Sequence, residues 1–329
     1  MGQHMGKRTG VTVARLKKIL ERQEPRKFGS AYIPSIFATR EEAPGISKPV
    51  ILKSIKLNRE IHLLSGPEFC AAALALYHPA LIDLHEQKML ARWPDLHPLA
   101  GLPDVDATSL PSIAGTVDVV ARLGYLDLHP VVYVKDNGHL TRKTPVPFPY
   151  LGDLLLFLSE PESVPYCVNW TIKDKVEAFT SPGPGKHSPN AHDRRKALAR
   201  FETEVQYHLD AGIRTQPIAG TEIDRHVADN LRAIYPFITF RLPTISSEQR
   251  AEVIDRFRTG MVLEVPPMDI VTSMEMRGQC PAWEATVILY QSIWSRALRV
   301  DLFKPVLMDY PLRPEVVDVI AHYADWFRP

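Results

Sequence analysis

Cysteine is scarce in this sequence. Its 329 residues include only three, Cys70, Cys167 and Cys280, and no two of them have a CxxC spacing. Three distant thiols cannot all pair within one chain, so the sequence predicts reduced thiols and excludes a fold held together by disulfides. The cytoplasm is the expected location, because thiols stay reduced there.

Long apolar runs are also missing. No stretch of about eighteen consecutive apolar residues occurs, so the sequence predicts no transmembrane helix and no membrane partner. The N-terminus continues into basic and polar residues without the apolar segment that a secretory signal needs. An apolar fraction of 45% is nevertheless ordinary for a globular protein and is enough to form a core.

Neither sign of charge dominates. The 39 lysines and arginines nearly balance the 38 acidic residues, and the net charge is +1. A protein with so small a net charge must bind nucleic acid through local basic patches. One such patch lies within residues 7–27 and a second within 186–200, although both also suit solvated helix faces and loops. The residues that we expect to contact DNA are Lys17, Lys18, Arg194, Arg195 and Lys196.

Hydrophobic periodicity predicts a mixed order of helices and strands up to about residue 222. The apolar positions of residues 66–77 recur with helical spacing, whereas 154–158 and 166–173 have the apolar character of strands. This order favours an α/β fold, with a mixed sheet flanked by helices. The other predicted elements are helices at 11–22 and 193–211, a hairpin of strands at 49–57 and 59–64, strands at 81–90, 131–135 and 215–218, and an excursion from the core at 92–130.

Beyond residue 222 the pattern becomes mainly helical. Ser246, with Gln249 three residues later, predicts a capping box that opens a helix over 247–259, and Gly260 is expected just past its end. The other predictions are helices at 223–234, 282–297 and 314–327, the last opened by Pro314, and a wing-like strand pair near 299–309. We therefore expect a basic N-terminal arm at 1–27, a central domain at 28–222, and a helix-rich, winged-helix-like domain at 223–329.

Two acidic residues and one lysine stand at the ends of predicted elements. Glu68 is near the start of a helix, Asp153 begins a strand and Lys173 ends the next strand. Asp153 and Lys173 become neighbours if residues 159–165 form the loop of a hairpin. Hydrolysis of a phosphodiester needs a divalent cation, for which carboxylates are natural ligands, and a water that a lysine can orient or deprotonate.

Each of these three residues also has a purely structural interpretation. Glu68 has the spacing of a capping box after a serine, Asp153 follows a glycine as a turn residue would, and Lys173 suits a solvated strand end. Other catalytic motifs are missing. His85-Glu86 has no second histidine at the HExxH spacing, residues 183–188 lack the P-loop spacing, and no GxSxG elbow occurs.

Short stretches between residues 28 and 222 follow one another in a distinctive order. They are Tyr32-Ile33-Pro34-Ser35, His62-Leu63-Leu64-Ser65 leading to Glu68, Leu81-Ile82-Asp83-Leu84-His85-Glu86-Gln87, Gly152-Asp153-Leu154-Leu155, Val168-Asn169-Trp170-Thr171-Ile172-Lys173, and Ala199-Arg200-Phe201-Glu202-Thr203-Glu204 with Tyr207. In this order they resemble the TnsA family of transposase endonucleases. The third, fourth and fifth are similar to that family's D-I-R-E-Q strand, its T-D-F-L strand and its strand ending in Gln-x-Lys.

The resemblance implies a restriction-endonuclease-like fold of the PD-(D/E)xK superfamily. By it, Glu68 and Asp153 are metal-binding carboxylates, Lys173 is the catalytic lysine, and the cofactor is one or two Mg²⁺ ions, with Mn²⁺ as a substitute. The implied activity is cleavage of one DNA strand, on the 5′ side, at transposon ends in bacteria. The implied partners are a separate DDE transposase and an AAA+ ATPase regulator, which residues 223–329 would dock.

One position departs from the family pattern. The family's glutamine falls on Thr171, whose hydroxyl is a shorter and weaker metal ligand, and the backbone carbonyl of Ile172 is the other candidate ligand there. The departure leaves open a second hypothesis, a catalytically degenerate nuclease domain retained for transpososome assembly or DNA binding. A third hypothesis treats residues 223–329 as a helix-turn-helix regulator.

Overall fold

The chain forms two compact units. The computed structural model describes residues 10–45, 47–103, 105–135, 143–182 and 189–329. The first unit comprises residues 1–71, 80–220 and 328–329, and the second comprises 72–79 and 221–327. The division after residue 220 lies close to the predicted boundary at 222, whereas the described part of the predicted arm belongs to the first unit. No helix in the described part of the chain is both long and apolar enough to cross a membrane.

Helices and strands alternate through the first unit, and helices predominate in the second. The helices are α1 (Val13–Gln23), α2 (Gly66–Tyr77), α3 (Thr116–Arg122), α4 (Ala191–Leu209), α5 (Arg225–Ile234), α6 (Ser247–Val262), α7 (Pro267–Met276), α8 (Ala282–Trp294) and α9 (Val319–His322). The strands are β1 (Val50–Ser54), β2 (Arg59–Leu63), β3 (Leu81–Glu86), β4 (Val131–Lys135), β5 (Lys143–Pro147), β6 (Leu154–Leu158), β7 (Tyr166–Lys173) and β8 (Arg214–Ala219).

The first unit is built on a mixed four-stranded sheet with the strand order β3-β6-β7-β8. β6 pairs antiparallel with β3 and β7, whereas β8 runs parallel to β7. All five residues of β6 are buried, which explains its uninterrupted apolar sequence, because a strand covered on both faces needs apolar side chains on both. The prediction of a mixed α/β fold is confirmed.

Two antiparallel hairpins and α1 complete the core of this unit. β1 pairs with β2, as predicted, and β4 pairs with β5. Leu16 and Ile19 of α1 pack against Met89, Val132 and Phe148. This contact explains the amphipathic spacing of α1, which buries its apolar face and exposes its basic one.

The predicted excursion at 92–130 contains a helix that was not predicted. α3 follows Gly115, whose φ is +94°. A Cβ at this position would lie 2.6 Å from the backbone carbon of Trp93 and 2.8 Å from the carbonyl oxygen of Arg92. Thr116 then donates its backbone N–H to the carbonyl of Ala91 at 2.8 Å. Only glycine permits so close an approach of two backbones in this conformation.

The second unit is helical and includes the last part of α2. The Tyr77 hydroxyl donates to the carbonyl oxygen of Ile293 at 3.4 Å. The rings of Tyr77 and Tyr235 both meet the Trp294 indole edge-on, at centroid distances of 5.5 and 5.2 Å. Residues 72–79 are therefore part of this core although they are distant from it in sequence.

The sequence predicted both ends of α6, and the structure confirms the capping box at its start but not the glycine after its end. Ser246 and Gln249 form the predicted capping box, with each side chain accepting from the other's backbone N–H. The prediction that Gly260 follows the helix is wrong, because α6 continues to Val262. A Cβ on Gly260 would lie 2.2 Å from Cδ1 of Ile270. This glycine therefore permits close packing of α7 on α6 and does not end the helix.

The prediction of a wing-like strand pair near 299–309 is wrong. Residues 299–309, all of them described, contain no strand, and the pairing recorded for this segment is an isolated bridge between Val300 and Pro314. Pro314 consequently does not open a helix. The last helix, α9, begins at Val319 after Asp318, whose side chain accepts two backbone N–H groups as an N-cap.

Candidate active site

A groove of about 860 Å³ in the first unit is lined by all three residues of the predicted catalytic set. Glu68 comes from the first turn of α2, Asp153 immediately precedes β6, and Lys173 is the last residue of β7. The fold thus brings together two carboxyl groups and an ammonium group from distant parts of the sequence. Carboxyl and ammonium groups that converge on one concave surface are typical of catalytic sites.

The β6–β7 hairpin sets the distance between Asp153 and Lys173. Leu154 pairs with Trp170 in the register of the hairpin, which leaves Asp153 beside the last residues of β7. Asp153 Oδ2 accepts the backbone N–H of Ile172 at 2.6 Å and lies 3.3 Å from Lys173 Nζ. Because a backbone amide holds the carboxylate, its position is fixed by the sheet.

Glu68 is held by three hydrogen-bond donors. Its Oε2 accepts the backbone N–H of Leu64 at 2.8 Å and the side-chain amide of Gln87 at 3.1 Å. Its Oε1 accepts the Ser65 hydroxyl at 3.0 Å, and Ser65 Oγ accepts the backbone N–H of Glu68 at 3.2 Å. The capping role and the site role therefore coexist, because the helix start that Ser65 caps also orients the carboxylate.

The Glu68 carboxyl group is less acidic than an ordinary glutamate. Burial raises the pKa of Glu68 to about 7, and the negative charge of Asp153 raises it as well, whereas hydrogen bonds and the Lys173 cation act in the opposite direction. A buried carboxyl group whose pKa is near neutrality, beside a second carboxylate, is typical of catalytic and metal-binding sites.

A third carboxyl group, not assigned from the sequence, adjoins this pair. Glu204 of α4 is only 6% exposed. Its Oε1 accepts the side-chain amide of Asn169, on β7, at 3.0 Å. Burial raises the pKa of Glu204 to about 7, and the charge of Asp153 contributes to the increase. Glu68 and Glu204 are thus both coupled electrostatically to Asp153.

Gln87 connects the acidic residues from the end of β3. Its φ is +49°, a left-handed conformation that is uncommon for residues other than glycine. In this conformation its backbone N–H donates to the carbonyl oxygen of Asp153 at 3.0 Å while its side chain donates to Glu68. Gln87 belonged to a family-like stretch of the sequence, but no role had been assigned to it. Its role in the structure is to position both acids.

The two other candidate ligands, Thr171 and Ile172, are on β7. Thr171 is buried and lies opposite Pro217 of β8. Strand alternation puts its side chain on the same face as that of Lys173. Ile172 has both backbone groups engaged, because its N–H donates to Asp153 and its carbonyl oxygen accepts the Lys173 ammonium at 2.9 Å. A cation could therefore use the Ile172 carbonyl only if Lys173 moved away from it.

Basic residues from three segments line the groove. Lys196, one of the predicted DNA contacts, and Arg200 stand one turn apart on α4, and Arg15 of α1 and Lys48 line other parts of the wall. Burial lowers the pKa of the Arg15 guanidinium, which remains a cation. Arg15 and Arg200 belong to the two basic patches of the sequence without having been singled out.

The other four predicted DNA contacts are not among the residues that line the groove. Lys17 and Lys18 of α1 have carboxylate partners, Glu21 at 3.8 Å and Glu42 at 3.7 Å. Arg195 pairs with Asp127 at 2.8 Å, and Arg194 donates to the carbonyl oxygen of Pro189 at 3.0 Å. Lys186, at the start of the second basic patch, and the rest of residues 183–188, where the spacing had excluded a P-loop, lie outside the described residues.

The donor set of the groove fits a hard divalent cation. Among the described residues, no group of three or more His, Cys, Asp or Glu side chains is clustered closely enough to hold a metal ion by itself. Mg²⁺, however, usually binds through one or two carboxylates and keeps several waters. Asp153 and Glu68 offer two such groups, and their mutual repulsion is what a cation would relieve.

No protein-family model matches the chain, and no curated protein matches it. The assignment of a function therefore depends on the residues of this groove and on their geometry.

Proposed function

We propose that this chain is a metal-dependent DNA endonuclease, and that it serves as the subunit of a bacterial cut-and-paste transposase that cleaves one strand, on the 5′ side, at transposon ends. The observation that carries the proposal is the convergence of Glu68, Asp153 and Lys173 on one groove with a basic wall. Two carboxylates can hold a divalent cation and a lysine can orient a water, and these groups suit metal-assisted hydrolysis of a phosphodiester.

The arrangement of the sheet supports a restriction-endonuclease-like assignment. An antiparallel hairpin presents Asp153 at the start of one strand and Lys173 at the end of the next, and the helix α2 supplies Glu68. The basic wall formed by Arg15, Lys48, Lys196 and Arg200 supports DNA as the substrate, because phosphate contacts supply most of the affinity for DNA.

Each residue of the groove has a definite part in this chemistry. Asp153 and Glu68 would hold the divalent cation, which when bound neutralises charge on the phosphate and increases the acidity of a water. Lys173 is positioned to orient a water and to offset phosphate charge. Glu204, with its raised pKa, can hold a proton beside Asp153 near neutral pH. Gln87 keeps the two acidic groups in place from the end of β3.

The partners proposed for this subunit rest on the resemblance of its sequence to the TnsA family. A separate DDE transposase would cut the other strand, and an AAA+ ATPase would regulate the complex. The near-zero net charge of the chain agrees with delivery to DNA by partner proteins, because only local patches attract the phosphate backbone.

One observation favours a second function, that of a nuclease-fold module without catalytic activity. Thr171 occupies the position of a stronger ligand, and the Lys173 ammonium is bonded to the neighbouring carbonyl oxygen. A module of this kind would still bind DNA along the basic wall but would cleave nothing.

Nicking of a supercoiled plasmid that carries both transposon ends distinguishes these two functions. The full-length protein is tested alone and with its transposase and ATPase partners, in Mg²⁺ and in Mn²⁺. Asp153→Ala and Lys173→Ala remove the proposed chemistry, whereas Glu202→Ala, on α4 but bonded to the Tyr125 hydroxyl, is the matched control.

We expect metal-dependent nicking that both site variants abolish and the control retains. A folded protein that binds the plasmid but nicks nothing in the complete complex would establish the second function. Circular dichroism of every variant verifies that loss of activity is not loss of structure.

A further inference from the structure

A second cavity of the first unit is separate from the proposed active site. Its volume is about 390 Å³, within the range of small-ligand sites. The segment between α1 and β1 contributes Arg26 and Phe28 to its wall, β3 contributes His85, and the chain after β3 contributes Lys88, Arg92 and Trp93. None of these six residues is among those that line the groove.

Lys88 is an unusual component of this wall. Its Nζ donates to the side-chain oxygen of Gln23 at 3.1 Å, and among the described residues no carboxylate lies within ion-pair distance of it. Burial lowers the pKa of Lys88 to about 8, and the Arg26 cation lowers it as well, whereas Asp95, which pairs with Arg26 at 3.0 Å, raises it. Burying an ammonium that has no carboxylate partner of its own has a stability cost, which an anionic ligand would offset.

His85 adds an unused hydrogen-bond acceptor. Its Nε2 is 3.0 Å from Asp83 Oδ2, and hydrogen bonds lower the pKa of Asp83 despite its burial, so this carboxylate can only accept. Burial lowers the pKa of His85 to about 4, and the ring is therefore neutral at pH 7. With the proton on Nε2, the buried Nδ1 is an acceptor, and it has no hydrogen-bond donor among the residues that the structure describes.

Trp93 gives the cavity an aromatic face that is open to solvent. Its side chain is 53% exposed, and Phe28, which also lines the cavity, packs edge-on against Phe157 at a centroid distance of 5.9 Å. The backbone of Trp93 lies so close to Gly115 that a Cβ there would have no room. An exposed aromatic ring beside several cations is a combination that binds single-stranded nucleic acids.

We propose that this cavity binds one nucleotide unit of a single strand, with its phosphate at the Arg26, Lys88 and Arg92 cations and its base against Trp93. That the strand is DNA and not RNA rests on the proposed function. The site would hold an unpaired nucleotide at a transposon end, apart from the strand that is cut.

Fluorescence anisotropy of a labelled single-stranded (dT)8 tests this site in the full-length protein, with dTMP and inorganic phosphate as competitors. Lys88→Met and Trp93→Ala are the test variants. Lys17→Met, an exposed lysine outside both cavities, and Trp283→Ala, a tryptophan that is 55% exposed in the second unit, are the matched controls.

We expect each test variant to lose at least tenfold in affinity for (dT)8 and the controls to lose less than twofold. In competition, dTMP should displace the oligonucleotide at a lower concentration than phosphate does. Equal competition by phosphate, together with no effect of Trp93→Ala, would overturn the proposal, because the cavity would then be a simple anion site. Binding that neither test variant weakens would overturn it too.

Thermal unfolding separates a binding role of Lys88 from a structural one. Methionine fills a similar volume, and Gln23 Oε1 still accepts the backbone N–H of residue 89 at 3.2 Å. We expect Lys88→Met to unfold at the same or a higher temperature than the wild type. A lower unfolding temperature with unchanged (dT)8 affinity would make Lys88 a structural residue. Plasmid nicking, measured in parallel, tests the groove alone, so failure of either proposal leaves the other standing.

Discussion

Lys173 Nζ lies 3.3 Å from Asp153 Oδ2 in an ion pair that is only partly buried, because about a third of the lysine side chain is exposed. Such pairs contribute about 0–1 kcal/mol to folding. The same ammonium, if it orients the attacking water, contributes about 10²- to 10⁴-fold to the rate. The stability and the activity of a variant at Lys173 should therefore separate.

Lys173→Met should reduce nicking by about 10²- to 10⁴-fold while changing the free energy of unfolding by less than about 1 kcal/mol. Urea denaturation and plasmid nicking of the same preparation measure the two quantities. A large loss of stability that accompanies the loss of activity would contradict this separation. Lys173→Arg should not rescue activity, because a planar guanidinium cannot reproduce the point charge of the ammonium.

The raised pKa values of Glu68 and Glu204 predict how stability depends on pH. Both values move from 4.5 to about 7 on folding, so between these pH values the folded state binds more protons than the unfolded state. The free energy of unfolding should consequently fall as pH rises from about 4.5 to 7. Asp153→Asn removes the negative charge that both glutamates face, so its stability should change less over this range. A steeper pH dependence in Asp153→Asn, measured by urea titrations at several pH values, would contradict the coupling.

Binding of Mn²⁺ should release protons near neutral pH. Glu68 has a pKa of about 7 and is partly protonated there, and a carboxyl group must lose its proton to bind a cation. Affinity for Mn²⁺ should therefore increase from pH 6 to pH 8. Calorimetry in buffers of different ionisation enthalpy counts the released protons directly. Asp153→Ala should abolish binding, whereas Glu202→Ala should leave it unchanged.

The basic wall of the groove predicts which cations contact DNA. Lys196→Ala and Arg200→Ala should each weaken binding of duplex DNA and reduce the slope of log affinity against log salt by about 1. Lys17→Ala and Arg195→Ala should change neither quantity, because these side chains have carboxylate partners away from the groove. Filter binding at several salt concentrations gives both values. If Lys17→Ala and Arg195→Ala weaken binding and the two groove variants do not, the DNA contacts lie at the residues that the sequence predicted.

Gly115→Ala tests the close approach that holds the segment of Arg92 and Trp93. A non-glycine residue at φ +94° costs about 1–3 kcal/mol in backbone strain alone, and its Cβ would overlap backbone atoms at 2.6 and 2.8 Å. We expect the free energy of unfolding to fall by at least that amount. Gly124→Ala is a demanding control, because Gly124 also has a positive φ but a Cβ there would meet nothing within 4 Å. If the two variants lose equal free energies of unfolding, the overlap of the Cβ with the backbone does not contribute to the loss in Gly115→Ala.

Much of the first unit could be predicted from sequence because its strands have an uninterrupted apolar character. Leu154–Leu158 and Tyr166–Lys173 coincide with the predicted strands, and the predicted loop at 159–165 joins them. The hairpin brought Asp153 and Lys173 together as the sequence analysis required. Local signals sufficed here because the two residues are held by one pair of adjacent strands.

The rest of the site depends on contacts that no local pattern records. Glu204 is on the same face of α4 as the buried Tyr207, so helical phase was a usable signal of its burial, but no role had been assigned to it. The role of Gln87 depends on a left-handed backbone that ordinary propensities do not favour for glutamine. In the second unit, the sequence predicted that Pro314 begins a helix and that Gly260 follows the end of one. In the structure Pro314 pairs with Val300, and Gly260 packs against Ile270 within α6.

The participation of Tyr77 in the helical unit has a consequence for how this protein can be divided. The unit cannot be excised at a single point, because a fragment that starts at residue 221 leaves behind the ring that packs on Trp294. Any exchange of this region between related genes would need to carry residues 72–79 along with the C-terminal segment. The helix α2 begins at Gly66 and ends at Tyr77, and it supplies Glu68 to the groove and Tyr77 to the helical unit, so replacing either unit alone would divide one helix.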